Sequence, residues 1–144
     1  MTDGYNLYRF LTAQAPTYDT VLDELRAGRK SSHWIWFIFP QIAGLGHSSM
    51  AQQFAIGSLD EAKAYLQHPI LGPRLRACTQ LVLDVNDRSA KEILGYPDHL
   101  KFRSCMTLFL TAATDNTLFN NALLKYFDGK PDQSTLDILA QQSF

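Results

Sequence analysis

Between Gly28 and Ser49 the chain reads GRKSSHWIWFIFPQIAGLGHSS, and its centre, Trp34 to Phe39, is an unbroken run of six apolar side chains closed by Pro40. A run of that length is far short of the roughly twenty residues a helix needs to cross a bilayer, so it has to be buried inside a folded core. Its aromatic and β-branched side chains suit an extended segment, yet one short strand without an evident partner cannot make a sheet. Residues 33–46, HWIWFIFPQIAGLG, are therefore expected to be extended or irregular, and the rest of the chain has to supply their cover.

That cover is helical. Leu7, Phe10 and Leu11 follow i, i+3, i+4 spacing, and Pro16 and Thr17 open a second segment whose stripe of Val21, Leu22 and Leu25 ends at Gly28. Ser58 with Glu61, and Ser89 with Glu92, have the spacing of capping boxes, in which the serine accepts from the third helical amide and the glutamate reaches back. Pro73 precedes Leu75, Cys78, Val82 and Val85 on one side of a helix predicted over 73–86. Asp98 is placed to cap a largely buried helix over 99–113, with Phe102, Cys105, Met106 and Phe109 on a broad apolar face. Segments 116–127 and 134–141 complete the set. The expected architecture is mainly α, a single compact domain over residues 1–144 with about seven helices around a central aromatic segment.

Charge narrows the function classes. Thirteen Lys and Arg stand against 14 Asp and Glu, a formal charge of −1, which argues against bulk nucleic-acid binding and against an anionic membrane surface. The N-terminus MTDGYNLYRF has an early Asp3 and no basic region followed by an apolar stretch, so a cytoplasmic location is expected. Cys78 and Cys105 lie among apolar neighbours with no ligand spacing and read as reduced core thiols. The histidines at 33, 47, 68 and 99 share no metal spacing, and no nucleophile elbow, zinc-protease helix, EF-hand loop or kinase signature occurs; no metal and no cofactor is expected.

Several residues remain that a core segment has little use for. Lys30, Ser32, His33, Gln41, His47 and Ser48 bracket Trp34 and Trp36, combining stacking surfaces with polar heads, as a planar polar ligand requires. The plain alternative is a tryptophan core with polar edges. Gly44 and Gly46 before Ser48 resemble either a phosphate-receiving turn or a simple serine-capped one. Arg74 in a first helical turn calls for something negative nearby: a ligand anion, or Asp60, Glu61 or Asp98. His68 is open to a ligand role or to a turn bond with a backbone carbonyl. Lys101, Ser104 and Thr111 draw a polar row along the 99–113 helix that either lines a cavity or faces solvent.

The ordered motifs GRKSSHWIWFIFPQIAGLGHS (28–48), SLDEAKAYLQHPILGPRLR (58–76), GYPDHLKFRSCMTLF (95–109) and YFDGKPDQSTLDIL (126–139) resemble a bacterial family catalogued as domain of unknown function 1810, some of whose members carry an unsupported calpastatin label. The resemblance implies a mainly α-helical single domain without an established activity. One departure is that the family pattern S-S-M-T-L-F has Cys105 in place of its second serine here, which removes any hydroxyl role at that position. The aromatic-Pro segment and the lysine-bearing later helix are also distantly similar to the NADAR group, which acts on ADP-ribose-type compounds; no catalytic motif of that group carries over residue by residue.

Two functional expectations follow. In the first, the protein binds or hydrolyses a phosphorylated planar metabolite of nucleotide or ADP-ribose type: Trp34 or Trp36 stacks, Gln41 reads polar edges, Lys30, Arg74 and Lys101 hold anionic oxygens, and Gly44 and Gly46 allow close approach. Ser32, Ser48 and Ser104 complete that set, and His33, His68 and Asp98 are the acid/base candidates. In the second, the aromatic segment contacts a protein partner and the polar residues form its rim.

Overall fold

A computed structural model describes residues 4–142, and among them ten α-helices and no strand occur. The helices are α1 (Tyr8–Gln14), α2 (Tyr18–Arg26), α3 (Ile35–Ile38), α4 (Ser49–Gln53), α5 (Leu59–Gln67), α6 (Leu71–Asp84), α7 (Ala90–Leu94), α8 (Asp98–Ala112), α9 (Thr117–Phe127) and α10 (Gln133–Gln142). Seven have seven or more residues, which are the expected long helices; α3, α4 and α7 are single turns or little more.

The aromatic segment differs from expectation at its centre. Instead of running extended, Trp34 to Phe39 winds into α3, with Ile38 N–H donating to Trp34 O (3.2 Å) and Phe39 N–H to Ile35 O (2.9 Å). The reason is that buried amides need partners and no neighbouring strand offers them, so the chain satisfies itself locally. Beyond Pro40 it does become extended, making one isolated parallel bridge between Ile42 and Ile56.

Around α3 the helices share one hydrophobic core, and α8 is its axis, packed against α3, α5, α7, α9 and α10. Residues 104–109 of α8 are buried without interruption, so the middle of the rod is enclosed on all sides, while Leu100 and Thr111 towards its ends are exposed. Aromatic rings tie it to its neighbours: Phe39 meets Phe102 nearly edge-on at 4.8 Å, Tyr65 lies 5.5 Å from Phe109, and Phe109 lies 6.0 Å from Phe119.

Local chemistry sets the helix ends. Ser89 and Glu92 form the complete capping box at α7. At α5 the device is half formed: Ser58 accepts from Glu61 N–H, but the Glu61 carboxylate accepts from Gly57 N–H and pairs with Arg9 at 2.8 Å instead. Gly28 (φ +74°) ends α2, allowing Arg29 N–H to return to Glu24 O. Helix α6 begins at Leu71, two residues before Pro73, because His68 Nδ1 accepts from the amides of Ile70 (3.1 Å) and Leu71 (3.2 Å) and so caps the new helix. Pro73, in the first turn, loses nothing by lacking an N–H.

Candidate functional site

The sequence-selected residues fall into three neighbourhoods. The first surrounds Glu24 on α2. Its carboxylate accepts from Ser31 N–H (2.7 Å), Ser32 N–H (3.0 Å), the Ser32 hydroxyl (2.6 Å) and the Trp34 indole N–H (2.9 Å). Burial pushes this carboxyl up, but the hydrogen bonds from Ser32, Ser31 and Trp34 outweigh it and hold the pKa at about 2 against an ordinary 4.5. Ser32 and Trp34 are thus occupied structurally. Trp34 is fully buried, with the Lys30 ammonium 5.0 Å over its ring, so it offers no face to a ligand.

Lys30 leads into the second neighbourhood. Its side chain is 6% exposed, and its ammonium pairs with Asp98 Oδ2 at 2.7 Å, while Lys101 approaches Asp98 Oδ1 at 3.4 Å. Asp98 is therefore the first residue of α8 rather than its cap, and its charge, favourable at a helix start, neutralises a buried lysine. Exchanging Asp98→Asn is expected to cost about 2 kcal/mol in urea unfolding, because the Lys30 ammonium stays buried without its counter-charge. The Lys30→Met/Asp98→Asn double variant should recover part of the loss. Additive losses would mean that the pair is not coupled.

Beyond Asp98, the Lys101 ammonium stands 5.2 Å over the ring of Trp36. Trp36 is the half-buried member of the aromatic segment, whereas Trp34, Ile35, Phe37, Ile38 and Phe39 are inside the core. Among the described residues, its indole Nε1 is a buried polar side-chain atom with no hydrogen-bond partner. Trp36 also lines a small cavity of about 10 Å³, the size of one water molecule, with Gln41, Ile42, Gly44, Gly46 and Phe54.

The glycines of this wall serve the turn. Gly44 has φ +105°, and a Cβ on Gly46 would come within 2.6 Å of the Ala51 Cβ. Ser48 accepts from Ala51 N–H (3.1 Å), so the reading as a serine-capped turn describes residues 44–51.

His68 and Arg74 form the third neighbourhood, apart from Trp36 in the contacts they make. The His68 ring nitrogen bonds backbone amides, not the carbonyl expected, and Arg74 has no carboxylate within ion-pair distance among the described residues. Its guanidinium lies 4.4 Å over the Tyr18 ring and donates to Gln14 Oε1 at 3.2 Å. In place of the carboxylate alternative stand a π face and an amide oxygen, and α6 starts earlier than Pro73, so Arg74 is not at its tip. Burial and the neighbouring Cys78 push the Tyr18 phenol up to about 12, and burial does the same to the Cys78 thiol.

Along α8 the polar row is spent on the backbone: Ser104, Thr107 and Thr111 hydroxyls donate to Leu100 O (3.1 Å), Arg103 O (2.9 Å) and Thr111's partner Thr107 O (3.0 Å). The Ser104 hydroxyl is therefore engaged by its own helix. Cys105 is fully buried and its thiol is pushed up by that burial, which makes it inert. His33 is exposed, and no hydrogen bond or ion pair joins it to His68 or Asp98 among the described residues.

Sequence reasoning missed Glu24, the acceptor that gathers the Ser31 to Trp34 stretch. It lies three residues after Val21 and one before Leu25, on the buried stripe of α2, and a carboxylate in that register was the available signal. It also missed two open hollows. One, of about 430 Å³, lies between the C-terminal ends of α2 and α6; the other, of about 330 Å³, lies among α5, α6 and the end of α8. No metal-binding group of three or more His, Cys, Asp or Glu occurs among the described residues, and none of their helices is long and apolar enough to cross a membrane.

Comparison with known proteins agrees with the fold. The chain is similar to the conserved hypothetical protein Rv1873 from Mycobacterium tuberculosis, whose crystal structure superposes with a TM-score of 0.95 at 54% sequence identity, covering 96% of this chain and 99% of that one. No curated protein matches. The model of the family described as protein of unknown function (DUF1810) matches residues 4–139. With matched residues running from before α1 into α10, the chain belongs to the DUF1810 family.

Proposed function

We propose that this protein binds a small, planar, phosphorylated metabolite of nucleotide or ADP-ribose type beside Trp36. The observation that carries the reading is the Lys101 ammonium standing 5.2 Å over the ring of the half-buried Trp36. An anionic ligand brings further negative charge to Lys101, which shares Asp98 with Lys30. Two lysines on one carboxylate leave the corner with a surplus positive charge. Gln41, on the same cavity wall, is placed to read a polar edge. The reading is one of binding, because Asp98 and the His68 ring nitrogen are already committed within the fold.

Tryptophan emission tests it, since Trp34 and Trp36 are the two tryptophans of the chain. Titration with ADP-ribose or AMP is expected to quench the wild-type signal, and Lys101→Gln should weaken binding about tenfold. The Trp36→Phe variant, which keeps the shielded Trp34, should lose the response, and Arg74→Ala should keep it. Emission unmoved by either nucleotide, or equal affinity in Lys101→Gln, would overturn the proposal.

A further inference from the structure

We infer that the hollow of about 330 Å³ among α5, α6 and the α8–α9 turn is a second binding site, for a phosphomonoester. It is lined by Lys63 and Gln67 of α5, Arg76 of α6, and Thr114 and Asp115 of the turn, over an apolar floor that includes Leu66 and Ala112. None of these residues takes part in the Trp36 corner. The volume lies at the lower end of the range of small-molecule pockets.

Arg76 is its anchor. The guanidinium lies 5.1 Å over the ring of the fully buried Phe119 and donates through Nη2 to Asp115 O at 3.4 Å, so it is held from below and from one side. That engages one of five N–H donors, and a fork with its remaining donors free matches two phosphate oxygens. Neither Arg76 nor Lys63 has a carboxylate within ion-pair distance among the described residues. The nearby acid, Asp115, has its Oδ1 engaged by Thr117 N–H at 3.2 Å at the start of α9, and the amide and hydroxyl of Thr117, with a smaller pull from the Arg76 charge, hold its pKa down, so it stays charged. Two cations against one committed carboxylate leave a net positive hollow in a chain whose total charge is −1. The other large hollow has the same charge balance, Arg26 and Arg88 against Asp84, but differs in that Arg26 sits near Asp23 at 3.9 Å and is turned largely to solvent, and in that helix C-terminal ends build it. A phosphomonoester rather than free phosphate fits the 330 Å³ hollow, because the Leu66 and Ala112 floor gives the organic group a surface to cover.

Amide chemical shifts of the full chain, followed during titration with phenyl phosphate at physiological salt, test the assignment. The expected result is saturable movement at Lys63, Arg76, Thr114 and Asp115, weakened about tenfold by Arg76→Gln and by Lys63→Gln and unchanged by Lys101→Gln. Inorganic phosphate should bind several-fold more weakly. If Arg76→Gln fails to fold, the exposed Lys63→Gln decides alone. Absence of movement up to about 10 mM ligand, equal affinity in the variants, or equal affinity for inorganic phosphate would each overturn the site. Because Trp36 emission reports the other corner, failure here and failure there are read separately.

Discussion

Replacing Glu24 by alanine is expected to lower the free energy of unfolding by about 3–5 kcal/mol, measured by urea denaturation at neutral pH. One carboxylate serves four donors, and its removal leaves the Trp34 indole N–H in a fully buried setting without an acceptor, together with two backbone amides of the Ser31–Ser32 corner. The damage should spread beyond α2, because this corner fixes the entry into α3 and positions Lys30 against Asp98. A loss of less than about 1 kcal/mol would mean that water replaces the carboxylate at little cost and that Glu24 does not organise the segment. The same group predicts an acid limb. Its folded pKa of about 2 lies below the ordinary 4.5, so its stabilisation is complete above pH 4.5 and is lost as pH falls through 2. Over that window wild type should lose about 3 kcal/mol that Glu24→Gln does not. Parallel pH profiles for the two proteins would contradict the assignment.

Gly72→Ala is the second large effect. A Cβ at this position would lie 2.1 Å from Leu66 O and 2.9 Å from its carbonyl carbon, both backbone atoms that no rotamer can move. The last turn of α5 and the first of α6 touch through that glycine, so a methyl group has to pry two helices apart beside Leu71, Leu75 and Tyr65. The expected cost is about 3 kcal/mol or more, or a fall in Tm of about 10 °C or more by calorimetry. A variant melting within a few degrees of wild type would show that the α5–α6 corner shifts freely. His68→Ala, which removes only the cap of α6, should cost about 1 kcal/mol and serves as the internal comparison.

These two residues show how much of the molecule was legible beforehand. Helix starts are readable where a side chain caps its own turn, as at Ser89 and Ser58, because that chemistry is local. The HPILGPR motif was visible as unusual, but its meaning was not: Gly72 is there for a contact between successive helices, and only the folded chain brings Leu66 O against it. The α3 turn was misread because residue type favoured extension, whereas the absence of a pairing strand decided the outcome. Of the proposed site, Lys101 and Trp36 are recoverable from the principle that an ammonium near apolar surface needs a partner, whereas the sequence points to capping for Asp98. For Arg74 the same logic points to a ligand anion or a carboxylate and does not foresee the aromatic face that lies under it. The Arg76 hollow left no mark in the sequence, its parts being contributed by α5, α6 and the turn after α8.

The central place of α8 bears on synthesis as well as stability. A nascent polypeptide releases α1 to α7 from the ribosome before residues 98–112 follow them out, and α3, α5 and α7 then lack the rod they pack on. Until that stretch clears the exit tunnel, the rings of Phe39 and Tyr65 lack Phe102 and Phe109. Translation stalled before codon 112 would strand a sticky intermediate, the species that holding chaperones exist to shelter.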